Sequence, residues 1–265
     1  MFAIKVLISG ASGKMGRAMA AGIVKEKDMR IVAAVDVRHQ GAELDALCGL
    51  GETGLLLEDD LAKAIRRASP DVMLDFTNPQ AVMKNIVISL QNRVAPVVGT
   101  TGLSERDLAE IALLSEQFAT PVFIAANFAL GAVLMMRFAQ EAAPWFPHAE
   151  IIERHGEHKM DAPSGTALVT LEKISQAREI FSQGSPNEFE KIPGARGGDY
   201  QGMRVHSVRL PGYVATQEVV FGGLGQVLTI RHDSMSRESF LPGVLLALRK
   251  VRSLSGLVCG LENIL

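Results

Sequence analysis

Short runs of uninterrupted apolar residues punctuate the first half of the chain, each followed by a glycine-rich or polar turn. Lys5-Val6-Leu7-Ile8-Ser9, Ile31-Val32-Ala33-Ala34-Val35, Asp71–Phe76, Val94–Val98 and Val122–Ala125 have this form. Continuous apolar runs fit strands buried on both faces, as in a parallel sheet. Between them the period changes. Residues 14–26 place Met15, Met19, Ile23 and Val24 on one side of a helix, and Thr77-Asn78-Pro79 turns into another. Ser104 with Asp107 predicts a capped helix through about residue 117. Strand, turn and helix in alternation predict an α/β domain with a doubly wound parallel sheet.

After about Phe128 the pattern differs. A helix through roughly residue 143 carries Val133, Met136 and Ala139–Gln140 at helical spacing. Glu150-Ile151-Ile152-Glu153 begins an apolar strand. Asp161-Ala162-Pro163-Ser164-Gly165-Thr166 then reads as the start of a helix reaching about Phe181, with Pro163 in its first turn and Ser or Thr as cap. Ser182–Gly202, rich in Gly, Pro and charge with no apolar period, predicts a long surface loop. Arg204–Leu210, Val214–Phe221 and Gln226–Arg231, separated by Pro211-Gly212 and Gly222–Gly225, predict an antiparallel meander. Ser236–Ser253 is an amphipathic helix followed by a short apolar tail. Antiparallel strands with helices predict a second, smaller domain of α+β type.

Composition narrows the classes. The 265 residues suffice for one large or two modest domains, and the net charge of −2 comes from interspersed signs. There is no basic stripe, so nucleic acid is not expected as a partner. Cys48 and Cys259 lie far apart and offer neither a disulfide framework nor metal spacing. The first residues run straight into a glycine turn, too short for a signal segment, and no run approaches the ~18 apolar residues of a membrane span. A soluble, cytoplasmic protein is expected, without a membrane partner.

Gly10-Ala11-Ser12-Gly13-Lys14-Met15-Gly16 spaces glycines as G-x-x-G-x-x-G directly after the first strand. It is a relative of the dinucleotide fingerprint: a residue without Cβ allows a tight turn and lets a pyrophosphate approach the next helix's N-terminus. A nucleotide-triphosphate loop is excluded, because Met15 follows Lys14 and Ile8 stands where the first glycine would be. Asp36 ends the second strand, twenty residues after Gly16, where an acid accepts hydrogen bonds from ribose hydroxyls. A nicotinamide cofactor is the expectation. Asp36 would repel a 2′-phosphate by ~1–4 kcal/mol in a wet site, and Arg38 could offset part of that. NADH preferred, or dual use with NADPH, follows. Polar turns fall at the carboxyl edge of successive strands, where open α/β sheets bind ligands. Gly99-Thr100-Thr101-Gly102 is the best candidate to line a nicotinamide pocket.

Residues 153–166 crowd His155, His158, Lys159 and several carboxylates ahead of a helix start. Ser164, Gly165 and Thr166 suit a substrate carboxylate, through backbone N–H and hydroxyl groups. His155 suits a proton donor, because a free imidazole titrates near neutral pH. Lys159 could stabilise developing charge or deliver the proton itself. No third ligand at metal spacing accompanies the two histidines, so a metal is not expected.

Glu153-Arg154-His155-Gly156-Glu157-His158-Lys159-Met160-Asp161-Ala162-Pro163-Ser164-Gly165-Thr166-Ala167 closely resembles the signature of the 4-hydroxy-tetrahydrodipicolinate reductase family, also called dihydrodipicolinate reductase. The match extends through Gly10–Gly16, Asp75-Phe76-Thr77, Gly99–Gly102, Ala125-Ala126-Asn127-Phe128, His206–Gly212 and Ile230-Arg231-His232. The resemblance implies a Rossmann-type domain over 1–127, to which 237–265 return, and a mixed-sheet domain over 128–236 for substrate and homotetramer formation. It implies NADH or NADPH reducing a cyclic dicarboxylate of the diaminopimelate route to lysine. Phe76, Gly99, Thr100, Thr101, Ala125, Ala126, Asn127 and Phe128 then join Gly10–Met15, Asp36 and Arg38 as cofactor contacts. Gly156 and Thr101 join Ser164–Thr166 as substrate contacts. Two positions depart from the family: Gly156 follows His155 where a second histidine is common, and Thr216 stands where a histidine is frequent. Competing readings are another semialdehyde or imine dehydrogenase, the former needing a cysteine nucleophile that Cys48 and Cys259 are badly placed to be, and a non-catalytic NAD(P)-sensing module.

Overall fold

The protein is described as a computed structural model covering residues 3–49, 51, 53–185 and 187–265. In chain order it forms β1 (Ile4–Ser9), α1 (Lys14–Ile23), β2 (Met29–Val35), α2 (Leu44–Cys48), β3 (Leu57–Glu58), α3 (Leu61–Ala68), β4 (Val72–Asp75), α4 (Pro79–Gln91), β5 (Ala95–Val98), α5 (Glu105–Gln117) and β6 (Val122–Ile124). There follow α6 (Leu130–Ala142), β7 (His148–His155), α7 (Gly165–Ala177), β8 (Gly198–Tyr200), β9 (Met203–Arg209), β10 (Ala215–Gly223), β11 (Gln226–Ser234), α8 (Leu241–Lys250) and β12 (Leu257–Cys259). The chain divides into two units, Met1–Phe128 with Arg237–Leu265, and Ala129–Ser236.

The first unit is a seven-stranded sheet in the order β12-β6-β5-β4-β1-β2-β3, with parallel pairing throughout. The chain leaves β1 towards β2 and later resumes at β4 on its other side, so β1 and β4 flank a topological switch point. The apolar runs are explained by burial on both faces: Val6, Leu7 and Ile8 in β1 and Val72, Met73 and Leu74 in β4 are wholly buried. Ser104 and Asp107 exchange hydrogen bonds as a capping box at α5, and Asn78 caps α4 with Pro79 in its first turn. The apolar tail is more than a tail. Leu257–Cys259 pairs in parallel with Val122–Ile124 and closes the sheet as its seventh strand.

The second unit stacks α6 and α7 on a five-stranded sheet in the order β11-β10-β7-β9-β8. Ala149, Ile151, Met203, Val205, Val219 and Phe221 of the sheet pack with Ala139, Ala167, Leu171 and Ile174 of the helices. The expected meander is corrected here. Of the three expected runs, β10 and β11 form an antiparallel hairpin, but β7 lies between β10 and β9, antiparallel to the first and parallel to the second. The strand that opens at His148 alternates buried and half-buried positions and takes a partner on both edges, which a meander of the three later strands leaves out. Within the expected loop, Gly198–Tyr200 pairs with β9 as an edge strand. Pro163 also sits outside α7: Ser164 is the cap and Gly165 the first helical residue.

Candidate active site

The carboxyl edge of the parallel sheet is assembled around Phe76. Gly10 takes a left-handed backbone, φ 80°, and a Cβ there would stand 2.4 Å from the Phe76 carbonyl oxygen. A Cβ on Gly99 would stand 2.1 Å from Cε1 of the Phe76 ring. Glycine is required at both places because the loops after β1 and β5 close directly on the loop after β4. The Phe76 ring meets Phe128 edge-on at 6.0 Å between centroids, and Phe128 meets Phe123 in the same way. Beneath them the fully buried Asp75 carboxylate accepts from Thr77 N (3.1 Å), Thr77 Oγ1 (2.7 Å), Thr100 Oγ1 (2.6 Å) and Asn85 Nδ2 (2.8 Å). The four candidate loops are therefore brought together as one rigid edge, with Ala125 buried and Thr101 and Ala126 exposed on it.

At the start of α1, Gly13 occupies the cap position with no side chain to offer, so the first turn has no side-chain cap and its N–H groups are suited to an anion. A Cβ on Gly16 would stand 2.2 Å from the Gly10 carbonyl oxygen, which keeps this turn tight. Asp36 ties the turn to the end of β2. Its Oδ2 accepts from Ser12 N (3.0 Å) and Ser12 Oγ (2.7 Å), and its Oδ1 from Arg38 N (3.0 Å). Burial pushes the Asp36 carboxyl up, but these bonds and the Arg38 charge outweigh it and hold the group below its ordinary range. Arg38 leaves most of its side chain in solvent, with Nε 3.5 Å from Asp36 Oδ1. A glycine cradle, an uncapped helix start and an ionised acid at the next strand end fit a dinucleotide.

In the second unit the chemistry gathers at the end of β7. Ile151, Glu153 and His155 share the helix-covered face by strand alternation, which forces a carboxylate wholly into the interior. Arg209, directly opposite His155 in the β7–β9 register, grips that carboxylate with two parallel bonds, Nη2 to Oε1 at 2.7 Å and Nη1 to Oε2 at 2.9 Å. Ser164 N donates to Oε1 at 3.3 Å, and Oε2 is hydrogen-bonded to Nδ1 of His155. Burial alone would raise the Glu153 carboxyl; the bonds from His155, Arg209 and Ser207 prevail and bring it down to about 2. With Nδ1 committed, Nε2 is the ring nitrogen of His155 left to exchange a proton with a ligand.

The loop to α7 carries the other charges. Lys159 N donates to Gly156 O (3.1 Å) in a turn, and Lys159 Nζ donates to both Asp161 oxygens, at 2.7 and 2.9 Å. That ammonium holds the Asp161 carboxyl below its usual range. Arg209 Nη2 also donates to the Asp161 carbonyl at 2.6 Å, so one guanidinium spans the Glu153 carboxylate and this loop. Ser164 caps α7 by accepting from Ala167 N at 3.2 Å, while Gly165 faces open space.

His155, Lys159 and Ser164 are thus brought into one hydrogen-bonded cluster with Gly165 and Thr166 at its helix start. Gly156 is not in the left-handed region, but a Cβ on it would lie 3.2 Å from the Tyr213 carbonyl oxygen. Thr216 lies on the other face of the sheet, opposite Arg154, and donates to Asp233 at 2.8 Å. His158 is exposed at 97%. Two residues of the cluster escaped the sequence reading, Glu153 and Arg209. The signal for Glu153 was available in the Ile151–Glu153–His155 alternation, which puts a carboxylate at a core position and so demands a buried cation. Among the described residues, no helix is long and apolar enough to cross a membrane.

Comparison with known proteins bears on this architecture. The family described as "Dihydrodipicolinate reductase, N-terminus" matches residues 4–128, and "Dihydrodipicolinate reductase, C-terminus" matches residues 131–265. A 4-hydroxy-tetrahydrodipicolinate reductase of Desulfitobacterium hafniense is 55% identical over 99% of this chain and 98% of its own. One from Moorella thermoacetica is 52% identical at the same coverage of both. Among solved structures, a dipicolinate-bound dihydrodipicolinate reductase from Paenisporosarcina sp. TG-14 superimposes with a TM-score of 0.89, at 43% identity and full coverage of both chains. With both halves matched and more than half the residues shared across the full length, the chain is a nicotinamide-dependent reductase and belongs to the dihydrodipicolinate reductase family.

Proposed function

We propose that this chain reduces 4-hydroxy-tetrahydrodipicolinate to tetrahydrodipicolinate in the diaminopimelate route to lysine. The observation that carries the reading is the buried Glu153 carboxylate holding His155 by Nδ1 beside Lys159 and the Ser164-capped helix start. The relative from Paenisporosarcina is described with dipicolinate bound, a planar cyclic dicarboxylate of related shape.

The first unit takes the cofactor through Gly10–Met15, Asp36, Arg38, Phe76, Gly99–Thr101 and Ala125–Phe128, and the second takes the substrate. The nicotinamide ring supplies a hydride when bound. The 4-hydroxyl departs as water together with a hydrogen of the adjacent ring carbon, leaving a conjugated imine, and hydride addition to that system puts negative charge on the ring that one proton quenches. His155 delivers a proton from Nε2, while the imidazolium formed on reprotonation is stabilised by Glu153. Lys159 opposes the developing charge. Ser164, Gly165 and Thr166 anchor a carboxylate at the start of α7, with Gly156 and Thr101 as further contacts. The ionised Asp36 favours NADH, or dual use. The unit Ala129–Ser236 forms a homotetramer in the cytoplasm.

The test is NADH or NADPH oxidation coupled to substrate made in place from pyruvate and aspartate semialdehyde. Rapid oxidation that depends on both precursors is expected. Tight cofactor binding with no oxidation of either cofactor would leave the sensing module as the surviving reading. Native mass spectrometry checks the tetramer.

A further inference from the structure

We propose that Arg209 and Glu153 act together as positioning residues that fix both the orientation and the proton affinity of His155. The inference deepens the function proposed above and rests on His155 as its proton donor. Both carboxylate oxygens of Glu153 are shared: Oε1 accepts from Arg209 and Ser164 N, Oε2 from Arg209 and His155, and Ser207 adds a further side-chain bond. A carboxylate shared in this way binds a neighbouring imidazolium less strongly than one facing it alone, because the guanidinium already neutralises it. His155 is thereby held in direction through Nδ1 by a carboxylate whose charge is already shared.

Stability alone does not call for a charged pair at this place. A forked Arg–Glu pair under a sheet costs desolvation that apolar residues would avoid. Arg209 Nε, moreover, is buried without a hydrogen-bond partner; besides a local bond to the Val208 carbonyl, the guanidinium has two targets distant in the chain, Glu153 and Asp161. Those targets are functional neighbours: the carboxylate that holds His155, and the carbonyl of Asp161, whose side chain holds Lys159. Other charges around His155 are few. Glu153 shares its strand face, Arg209 faces it from β9, and Lys159 and Asp161 come from the loop to α7 with Glu157 and His158 exposed beyond them. Across β10 its partner is the uncharged Ala215; Arg154, Glu218 and Asp233 lie at positions of the opposite sheet face or its flank.

The experiment follows the His155 ring by 15N NMR in the histidine-labelled holoprotein, assigned with His155→Asn, alongside the pH profile of kcat. Glu153→Gln is expected to lower the His155 titration midpoint by about one pH unit, and Arg209→Gln to raise it by about the same, because one removes the anion and the other unmasks it. Arg209→Lys keeps a cation but cannot fork: its midpoint stays within a few tenths of the parent, while kcat falls at least ~10-fold with KM changed less. A merely structural pair would move both midpoints the same way or not at all, and that result overturns the inference. If Arg209→Gln does not fold, the downward shift in Glu153→Gln and the unmoved midpoint of Arg209→Lys carry the same decision. Opposed NMR shifts with an unmoved kcat limb would uphold the positioning and refute His155 as donor, so the two claims fail separately.

Discussion

Phe76 stands in the space that a side chain on residue 99 would need, its Cε1 only 2.1 Å from where a Cβ of Gly99 would be. Gly99→Ala must therefore displace the Phe76 ring from its place between the loops. Overpacking of this kind costs about 1–3 kcal/mol, and here the displaced atoms are those of the cofactor edge. The expected result is a lower melting temperature together with NADH affinity reduced about tenfold or more, read by fluorescence titration. Unchanged affinity would show that this edge is not a cofactor surface.

The proposed role of Asp36 in cofactor choice rests on charge. Removing the carboxylate in Asp36→Ala relieves repulsion of ~1 kcal/mol or more against a 2′-phosphate, so the NADPH-to-NADH affinity ratio is expected to rise at least about fivefold. In the parent protein NADH is expected to bind as well as or better than NADPH. A parent that binds NADPH ten times more tightly, measured by the same titration, contradicts the assignment of Asp36.

His155→Ala and Lys159→Ala are each expected to lower kcat by about 10²-fold or more, the usual size of a lost acid–base or charge-stabilising group. Cofactor affinity should not change, since Gly10–Met15 and Asp36 belong to the other unit. Near-normal turnover in both variants refutes the roles given to them.

Glu153 makes stability depend on acid. Its carboxyl is near 4.5 when unfolded and about 2 when folded. A depressed carboxylate stabilises the fold fully above the unfolded value and loses that stabilisation as pH falls towards the folded one. The contribution is on the order of 3 kcal/mol, and it should disappear between about pH 4.5 and 2. Urea unfolding across this range should show a shallower pH slope in Glu153→Gln than in the parent. Equal slopes would mean that the Arg209 grip persists in the unfolded chain or is absent from the native one.

Gly156→His tests the family's second histidine. The backbone there permits a side chain, with the Tyr213 carbonyl 3.2 Å from the new Cβ and obliged to yield slightly. KM for the dicarboxylate should fall about fivefold, the worth of one added hydrogen bond of ~1 kcal/mol, with kcat little changed. A large rise in KM would show that the Tyr213 segment cannot move.

The parallel sheet was legible in the sequence because strands buried on both faces carry no polar positions, as in Val6-Leu7-Ile8. The glycines were legible as a spacing, but their cause was not: Gly99 is needed because of Phe76, a relation between residues twenty-three positions apart. The second unit was read less well. Apolar runs at 204–210 and 214–221 look like sequential neighbours, yet His148–His155 inserts between them, and nothing local encodes which edge a strand pairs with. Local patterns found His155, Lys159 and the Ser164 cap. They could not find Arg209, whose meaning arises only when β9 lies beside β7.

The seventh strand, Leu257–Cys259, carries a consequence for biosynthesis. It is made after every other strand of its sheet, and its partner Val122–Ile124 precedes it by more than a hundred residues. On the ribosome the nucleotide-binding sheet must therefore wait with β6 as a bare edge while Ala129–Ser236, whose strands pair only among themselves, is already free to fold. The order in which the units complete their folding is then the reverse of the order in which they begin to be made: the unit that starts first finishes last.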